Sequence, residues 1–156
     1  MEFHLLTGGV GAPQLLLDLD LDGGGGTAAR AREAAAGFLT ALARTCRPSR
    51  RGAPGDVLIV VSELVTNAVR HAPGALTVSL AHLPGEVRIT VRDSSPAAPR
   101  DRPPDLRAGT GGFGWPTVQR LAREVRVVPR QGGKEIHAFV PWDRARPLPH
   151  RPTVVP

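Results

Sequence analysis

A helix predicted over residues 56–72 constrains the fold more than any other segment of this chain. Its apolar residues recur at intervals of three and four, which is the spacing of a helix face that packs on a core. They are Val57, Val60, Val61, Leu64, Val65 and Ala68. Glu63, Asn67 and His71 follow one another at intervals of four along the flank of that face. We therefore expect these three polar side chains at the edge of the buried face, where a groove would lie.

Composition singles out Asn67 within this polar row. The chain has one asparagine, one lysine, three isoleucines and no tyrosine, but 18 glycines and 16 prolines. This bias is typical of a gene under strong G/C pressure, because the codons of the depleted residues are rich in A and T. An asparagine kept one helical turn after Glu63 could share a metal ion or a water with that carboxylate. Chance survival is the alternative, and this residue taken alone favours chance.

Periodicity and turn residues predict the other elements around this helix. Strands are expected over residues 76–81 and 87–92, joined by a turn at Pro84-Gly85, and over residues 125–128 and 135–140. Residues 14–21 alternate only partly and could form an edge strand. Further helices are expected over residues 28–43, with Thr27 as N-cap, and over residues 114–122.

Asp93 continues the apolar face of the second hairpin strand. Val87, Ile89 and Val91 alternate with polar residues, and the same period places Asp93 on their side of the sheet. A carboxylate at the end of an apolar face needs a donor, and the exocyclic amine of adenine could supply it. The alternative is local turn chemistry, since Asp93-Ser94-Ser95-Pro96 is a good start for an Asx turn. This segment taken alone favours the turn.

A glycine-rich segment leads into the last predicted helix. It contains Gly109, Gly111, Gly112 and Gly114. Glycines let backbone amides approach phosphates, and a helix N-terminus adds free N–H groups and a favourable dipole. The segment over residues 94–113 has four prolines and no periodicity, which predicts a lid. A P-loop is excluded because no Gly-Lys-Ser/Thr is present, and a Rossmann motif is disfavoured because no parallel strand precedes the glycines.

Length, charge and cysteine content limit the class of protein. A chain of 156 residues fits one domain. The net charge of +6 could suit nucleic acid, but the arginines are scattered and no aromatic platform for stacking is visible. The longest apolar run, residues 57–61, is too short to span a membrane, and no signal peptide is recognisable. The single Cys46 cannot form an internal disulfide, which fits the cytoplasm. Together, these features lead us to expect a cytoplasmic protein that does not contact nucleic acid or membrane directly.

Along the chain, a helix with Glu63 and Asn67 is followed by a hairpin that ends in Asp93, then by a lid, and then by glycines that lead into a helix. This order of elements resembles the ATP-binding fold shared by gyrase, histidine kinases and the heat-shock chaperone of that superfamily. Residues 61–72 and Asp93-Ser94-Ser95-Pro96 are most similar to the anti-sigma-factor serine kinases, including small stand-alone ATPases of G/C-rich actinomycetes. The resemblance covers residues 27–142 as an ATP-binding domain. Residues 1–26 remain as an N-terminal segment with the possible edge strand, and residues 143–156 as a Pro/Arg-rich tail that we expect to be disordered. The implied fold is a two-layer α/β sandwich, with helices on one face of a mixed, largely antiparallel sheet.

The resemblance also implies a role for each candidate residue. Glu63 would be the general base that activates a protein serine, Asn67 the magnesium ligand, and Asp93 the carboxylate that reads adenine. The other implied nucleotide-binding residues are His71, Gly109, Gly111, Gly112 and Gly114. Arg100, Arg102 and Arg107 in the lid are candidates for phosphate closure.

The implied function is a serine/threonine protein kinase that uses ATP and Mg²⁺ and regulates transcription as an anti-sigma factor. Its partners would be a sigma factor and an anti-sigma-factor antagonist, with a possible homodimer. Phe113 stands where the family often has a polar or basic residue between the phosphate-loop glycines, which affects turnover more than binding. The alternative is therefore a regulatory module that holds ATP without transferring phosphate. A nucleic-acid-binding protein is a third hypothesis, favoured by charge alone.

Overall fold

Three helices and six strands make up the part of the chain that the structure describes. This computed structural model describes residues 4–6, 14–97 and 114–144. The helices are α1 (Thr27–Thr45), α2 (Ala53–His71) and α3 (Gly114–Leu121). The strands are β1 (His4–Leu6), β2 (Gln14–Leu21), β3 (Leu76–Leu83), β4 (Glu86–Asp93), β5 (Glu124–Arg130) and β6 (Gly133–Pro141).

The strands form one sheet in the order β1-β2-β3-β4-β6-β5. Every pairing between the described strands is antiparallel. The prediction of an α/β fold with a largely antiparallel sheet is confirmed. The strand predicted over residues 14–21 is present as β2, but its predicted position at the edge of the sheet is wrong, because β2 pairs with β1 on one side and with β3 on the other. β1 has three residues, which is too short for its alternation to be recognised in the sequence.

One face of the sheet packs against the helices and holds the core. The apolar stripe of α2 is fully buried, with Val57, Val60, Val61, Leu64 and Val65 each 0% exposed. On β4 the buried residues Val87, Ile89 and Val91 alternate with more exposed polar ones, as predicted. Complete burial of such an aliphatic side chain contributes about 1.5–3 kcal/mol. The apolar residues of the helical pattern in α2 and of the alternating pattern in β4 therefore pack together in a single core.

The face of the sheet away from the helices is polar. β4 places Arg88, Thr90 and Arg92 there, and its neighbour β6 places Glu135 and His137 opposite the last two. A sheet with one covered and one solvated face is typical of antiparallel α/β sandwiches. Among the described helices, none combines the length and the hydropathy that crossing a membrane would require.

Both long helices begin at a different residue from the one predicted. Thr27 is the first residue of α1, and Gly26, with φ of 83°, takes the N-cap position. The Thr27 hydroxyl donates to the carbonyl oxygen of Gly24 at 2.7 Å, so it serves the preceding turn and caps no helical N–H. α2 begins at Ala53, because Pro54 is tolerated in a first turn that needs no N–H from it.

Candidate functional site

Asp93 lies buried at the end of β4, on the face that the alternation predicted. It is 4% exposed. Its Oδ1 accepts hydrogen bonds from the backbone N–H of Ser95 at 2.9 Å and from Nζ of Lys134 at 2.8 Å. The bond from Ser95 is an Asx-turn contact, so the turn and the buried position are both present. The two interpretations that the sequence left open are therefore compatible.

Lys134 is the residue of this site that sequence reasoning missed. It is the single lysine of the chain, lies opposite Asp93 in the register of β4 and β6, and is 4% exposed. Its Nζ also donates to the backbone carbonyl of Ser95 at 3.0 Å. A lysine is rarely buried unless it is paired. The same composition argument that singled out Asn67 applies to a lone lysine in an arginine-rich chain and could have found it.

One oxygen of the Asp93 carboxylate lacks a partner in the part of the chain that the structure describes. Both donors described above bind Oδ1, whereas Oδ2 is buried and accepts no hydrogen bond from any residue that the structure describes. A buried acceptor without a donor costs about 1–3 kcal/mol. A ligand N–H group that reached Oδ2 would remove that cost, so this atom is the part of the site that fits a donor from outside the chain.

A cavity of about 320 Å³ opens beside Asp93, where β2 and β4 end and β3 begins. Leu21, Thr77, Arg92 and Ser94 are among the residues that line it. This volume is near the lower end of the range of small-molecule sites, about 300–1,000 Å³. The cavity lining includes Asp93 but none of the polar row of α2.

The polar row of α2 lies on the flank of its buried stripe, as expected. Glu63 and Asn67 are half-buried and His71 is exposed. Within the described residues, no hydrogen bond or ion pair engages the side chains of Glu63 or Asn67, whose oxygens are therefore available to a ligand. A carboxylate and an amide oxygen one turn apart suit a hard cation such as magnesium.

Glu63 contacts the beginning of α3. A Cβ on Gly114 would overlap Oε2 of Glu63, so a larger residue at the helix start would require the Glu63 carboxylate to move aside. The free N–H groups and the dipole at a helix N-terminus favour negative charge. The structure thus brings Glu63 and Gly114 together.

The remaining candidates lie outside the described residues. They are Gly109, Gly111, Gly112, Phe113 and the three lid arginines Arg100, Arg102 and Arg107. Gly114 is the one glycine of the predicted phosphate loop whose position is described. The described part of the site consequently has two centres, one at Asp93 and Lys134 and one at Glu63, Asn67 and Gly114.

Comparison with known proteins gives a family match and a similar fold. The model of the family described as the histidine kinase-like ATPase domain matches residues 26–139. A crystal structure of the RsbU and RsbW domains of Rv1364c from Mycobacterium tuberculosis has a TM-score of 0.62 at 21% identity, covering 86% of this chain and 34% of that chain. This chain therefore spans about a third of the length of that chain, and at this identity the likeness concerns the fold.

Two other results complete the comparison. The histidine kinase domain of the blue-light activated histidine kinase from Erythrobacter litoralis EL346 has a TM-score of 0.41 at 22% identity, covering 70% of this chain and 60% of that chain. The search of curated proteins gave no match.

Proposed function

Because the chain belongs to the family of histidine kinase-like ATPase domains, we propose that it is an ATP-dependent serine/threonine protein kinase. Family membership implies an ATP site. The observation that carries the nucleotide assignment is the buried Oδ2 of Asp93, which has no donor among the described residues. The exocyclic amine of adenine is the kind of donor this atom lacks, whereas guanine presents a carbonyl oxygen at the same ring position. A buried carboxylate would accept the first and repel the second.

Lys134 gives the Asp93 carboxylate its orientation. By binding Oδ1 and the carbonyl of Ser95 together, the ammonium fixes the carboxylate and offsets part of its charge. A compact ammonium serves two converging acceptors, which the planar fork of an arginine suits less well. Lys134 would therefore act as a positioning residue that leaves Oδ2 free for adenine.

Asn67 and Glu63 provide the chemistry for the phosphate end of the nucleotide. The half-buried amide oxygen of Asn67 fits magnesium, which prefers oxygen ligands. The ion would supply charge neutralisation for the phosphates. Glu63 would accept the proton of the incoming hydroxyl, and His71 would lie at the end of the same row. The amides at the start of α3, with Gly109, Gly111 and Gly112 before it, would cradle the phosphates.

The protein substrate that we propose is a small anti-sigma-factor antagonist, with a sigma factor as the second partner. The sequence resemblance of residues 61–72 to anti-sigma-factor serine kinases supports this choice. The structure with the higher TM-score contains an RsbW domain, which supports the same kind of fold. Sequestering a sigma factor would make the protein a regulator of transcription.

Substitution of Glu63 separates a kinase from a module that only holds ATP. Glu63→Gln keeps the size of the side chain but removes its basicity, so phosphorylation of the antagonist should fall by roughly 10²–10⁴-fold while ATP affinity changes little. Transfer of radiolabelled phosphate and calorimetry measure the two quantities. The matched control is Glu33→Gln, which neutralises an exposed glutamate on α1 and should leave both unchanged.

Two results would contradict this assignment. Unchanged transfer in the Glu63→Gln variant would mean that Glu63 is not the base. If the parent protein binds ATP but phosphorylates no antagonist encoded in its own genome, the kinase function is wrong and the ATP-binding regulatory module replaces it.

Substitution of Asn67 tests the magnesium site. Asn67→Ala should weaken ATP binding by about tenfold or more in magnesium, because a metal ligand is lost, and by much less in EDTA. Calorimetry in the two buffers measures the difference. Thr66→Ala, a neighbouring half-buried position on α2, is the control. An equal loss in both buffers would show that Asn67 has a structural role.

A further inference from the structure

A cluster of three metal-ligating side chains lies at the opposite end of the sheet from Asp93. Cys46 follows α1, His82 lies near the end of β3, and Asp143 comes shortly after β6. His82 pairs with Val87, which precedes Asp93 on β4 by six residues. At about 3.3 Å per residue this is a distance on the order of 20 Å. The cluster is therefore separate from the nucleotide site proposed above.

The ligand atoms of the three side chains face one another. Sγ of Cys46 lies 3.6 Å from Nε2 of His82, and the same Nε2 lies 3.1 Å from Oδ1 of Asp143. One atom from each residue lies within 4.8 Å of the other two. Tetrahedral zinc, with bonds of about 2.3 Å to sulfur and about 2.0–2.1 Å to nitrogen and oxygen, needs separations of about 3.6 Å for S···N and about 3.4 Å for N···O. The observed S···N separation matches this value, and the observed N···O separation is about 0.3 Å shorter.

The same three residue types could form a nucleophilic triad, but their geometry is wrong for one. A triad uses the two ring nitrogens separately, one for the thiol proton and the other for the orienting carboxylate. Here a single nitrogen of His82 faces both neighbours. Convergence of two ligand atoms on one ring nitrogen suits a shared cation.

The backbone around the cluster is held by hydrogen bonds from Trp142. Its fully buried indole N–H donates to the carbonyl oxygen of Cys46 at 2.9 Å. Its backbone N–H donates to the carbonyl of Gly85 at 2.9 Å, and its own carbonyl accepts from the N–H of Ser49 at 2.7 Å. Trp142 directly precedes Asp143, so these bonds hold the chain after β6 against the end of α1. A site on such a framework loses little conformational freedom when a ligand binds.

We propose that Cys46, His82 and Asp143 bind a divalent transition-metal ion of the zinc class. Thiolate, imidazole and carboxylate are the ligands that zinc takes in proteins, whereas magnesium prefers oxygen alone. Binding forms a metal–sulfur bond and releases the thiol proton to solvent. Three protein ligands leave one coordination position for water. The ion would join the end of α1, strand β3 and the chain after β6.

A titration of the full chain with cobalt(II) tests the proposal. Cys46 is the only cysteine, so a sulfur-to-cobalt charge-transfer band can come from this site alone. The band should saturate at one ion per chain and disappear when zinc displaces cobalt. Asp143→Asn and His82→Gln should each weaken cobalt binding by about tenfold or more. His137→Gln removes a histidine on the open face of the sheet and should leave the affinity unchanged.

The outcomes decide between a shared site and its alternatives. Absence of the band at excess cobalt would overturn the proposal and leave a hydrogen-bonded cluster. A band of parental affinity in both the Asp143→Asn and His82→Gln variants would also overturn it, because Cys46 would then bind the ion alone. If His82→Gln does not fold, the milder Asp143→Asn carries the test. Zinc should further raise the unfolding temperature of the parent protein and not that of Cys46→Ser.

Discussion

Two successive residue pairs of β4 and β6 contain opposite charges but lie on opposite faces of the sheet. Asp93 pairs with Lys134 on the helix-covered face, and Arg92 pairs with Glu135 on the open face. The side chains of the first pair are 1% and 5% exposed, whereas in the second pair the Arg92 side chain is 64% exposed and that of Glu135 is 5% exposed. A step of one residue along a strand reverses the face. This step separates an ion pair whose two members are both enclosed from one whose cation is open to water.

The two carboxylates differ in how many of their oxygens are satisfied. Oε1 of Glu135 accepts from Arg92, and Oε2 accepts from Arg130 at 2.8 Å. In Asp93 only Oδ1 is bonded, and the buried Oδ2 has no donor among the described residues. Both oxygens of the Glu135 carboxylate therefore have donors, whereas one oxygen of the Asp93 carboxylate has none among the described residues. A buried carboxylate with one unsatisfied oxygen is therefore a better indication of a binding site than an ion pair as such.

Removing Lys134 should have the largest effect on stability. Lys134→Met leaves the buried Asp93 carboxylate without its cation, which should cost about 3–5 kcal/mol in the free energy of unfolding. Arg92→Met, on the open face, should cost about 0–1 kcal/mol, because Arg130 still binds Glu135. Urea unfolding measures both variants.

The double variant Asp93→Leu/Lys134→Met sharpens this comparison. Replacing both members of a buried pair by apolar residues removes the unpaired charge, so much of the stability lost in Lys134→Met should return. Equal losses for Lys134→Met and Arg92→Met would show that burial does not distinguish the two pairs.

Substitution of Asp93 should have the next largest effect, on nucleotide affinity. Asp93→Asn replaces a charged acceptor by an amide, which should weaken ATP binding by about 1.5–3 kcal/mol, or roughly 10–150-fold. The preference of the parent protein for ATP over GTP should shrink in the same variant. Calorimetry with both nucleotides measures this, and Glu135→Gln is the control on the open face. Asn is preferred to Ala because Asp93→Ala would leave the Lys134 ammonium with fewer partners as well.

One result would break the assignment of adenine to Asp93. If the parent protein binds ATP and GTP equally, Oδ2 does not read the base. The comparison of the two carboxylates would then concern stability alone.

Local periodicity accounts for what the sequence predicted correctly. The stripe of α2, the hairpin of β3 and β4 and the burial of Asp93 each depend on residues close to one another in the chain. Lys134 was missed because its contact with Asp93 spans 41 residues and depends on the register of β6 against β4. The position of β2 inside the sheet likewise depends on β1, whose three residues carry no readable period.

The metal-ligating cluster shows the same limit at longer range. Cys46 and His82 are 36 residues apart, and His82 and Asp143 are 61 apart. None of the three stands in a short motif with the spacing of a metal site. Their convergence follows from where α1, β3 and β6 end in the fold. Asp143 was predicted to begin the tail, and residues 145–156 of that tail lie outside the described residues.

The smallest expected effect is the pH dependence that Glu135 adds on the open face. Its hydrogen bond with Arg130, and then that with Arg92, lowers the pKa of the Glu135 carboxyl from 4.5 to about 2. Because the folded-state pKa is below the unfolded value, this stabilisation is present above about pH 4.5 and is lost as the pH falls towards about 2. Glu135→Gln should therefore lose less stability than the parent protein over that range. Since both arginines are more than half exposed, the difference should be about 1 kcal/mol or less and should shrink in high salt.

Urea unfolding at several pH values measures this difference in stability, with Glu33→Gln as the control for an exposed glutamate on α1. Parallel pH profiles for the parent protein and Glu135→Gln would show that the open-face pair contributes nothing, and the contrast with Lys134→Met would then be larger still.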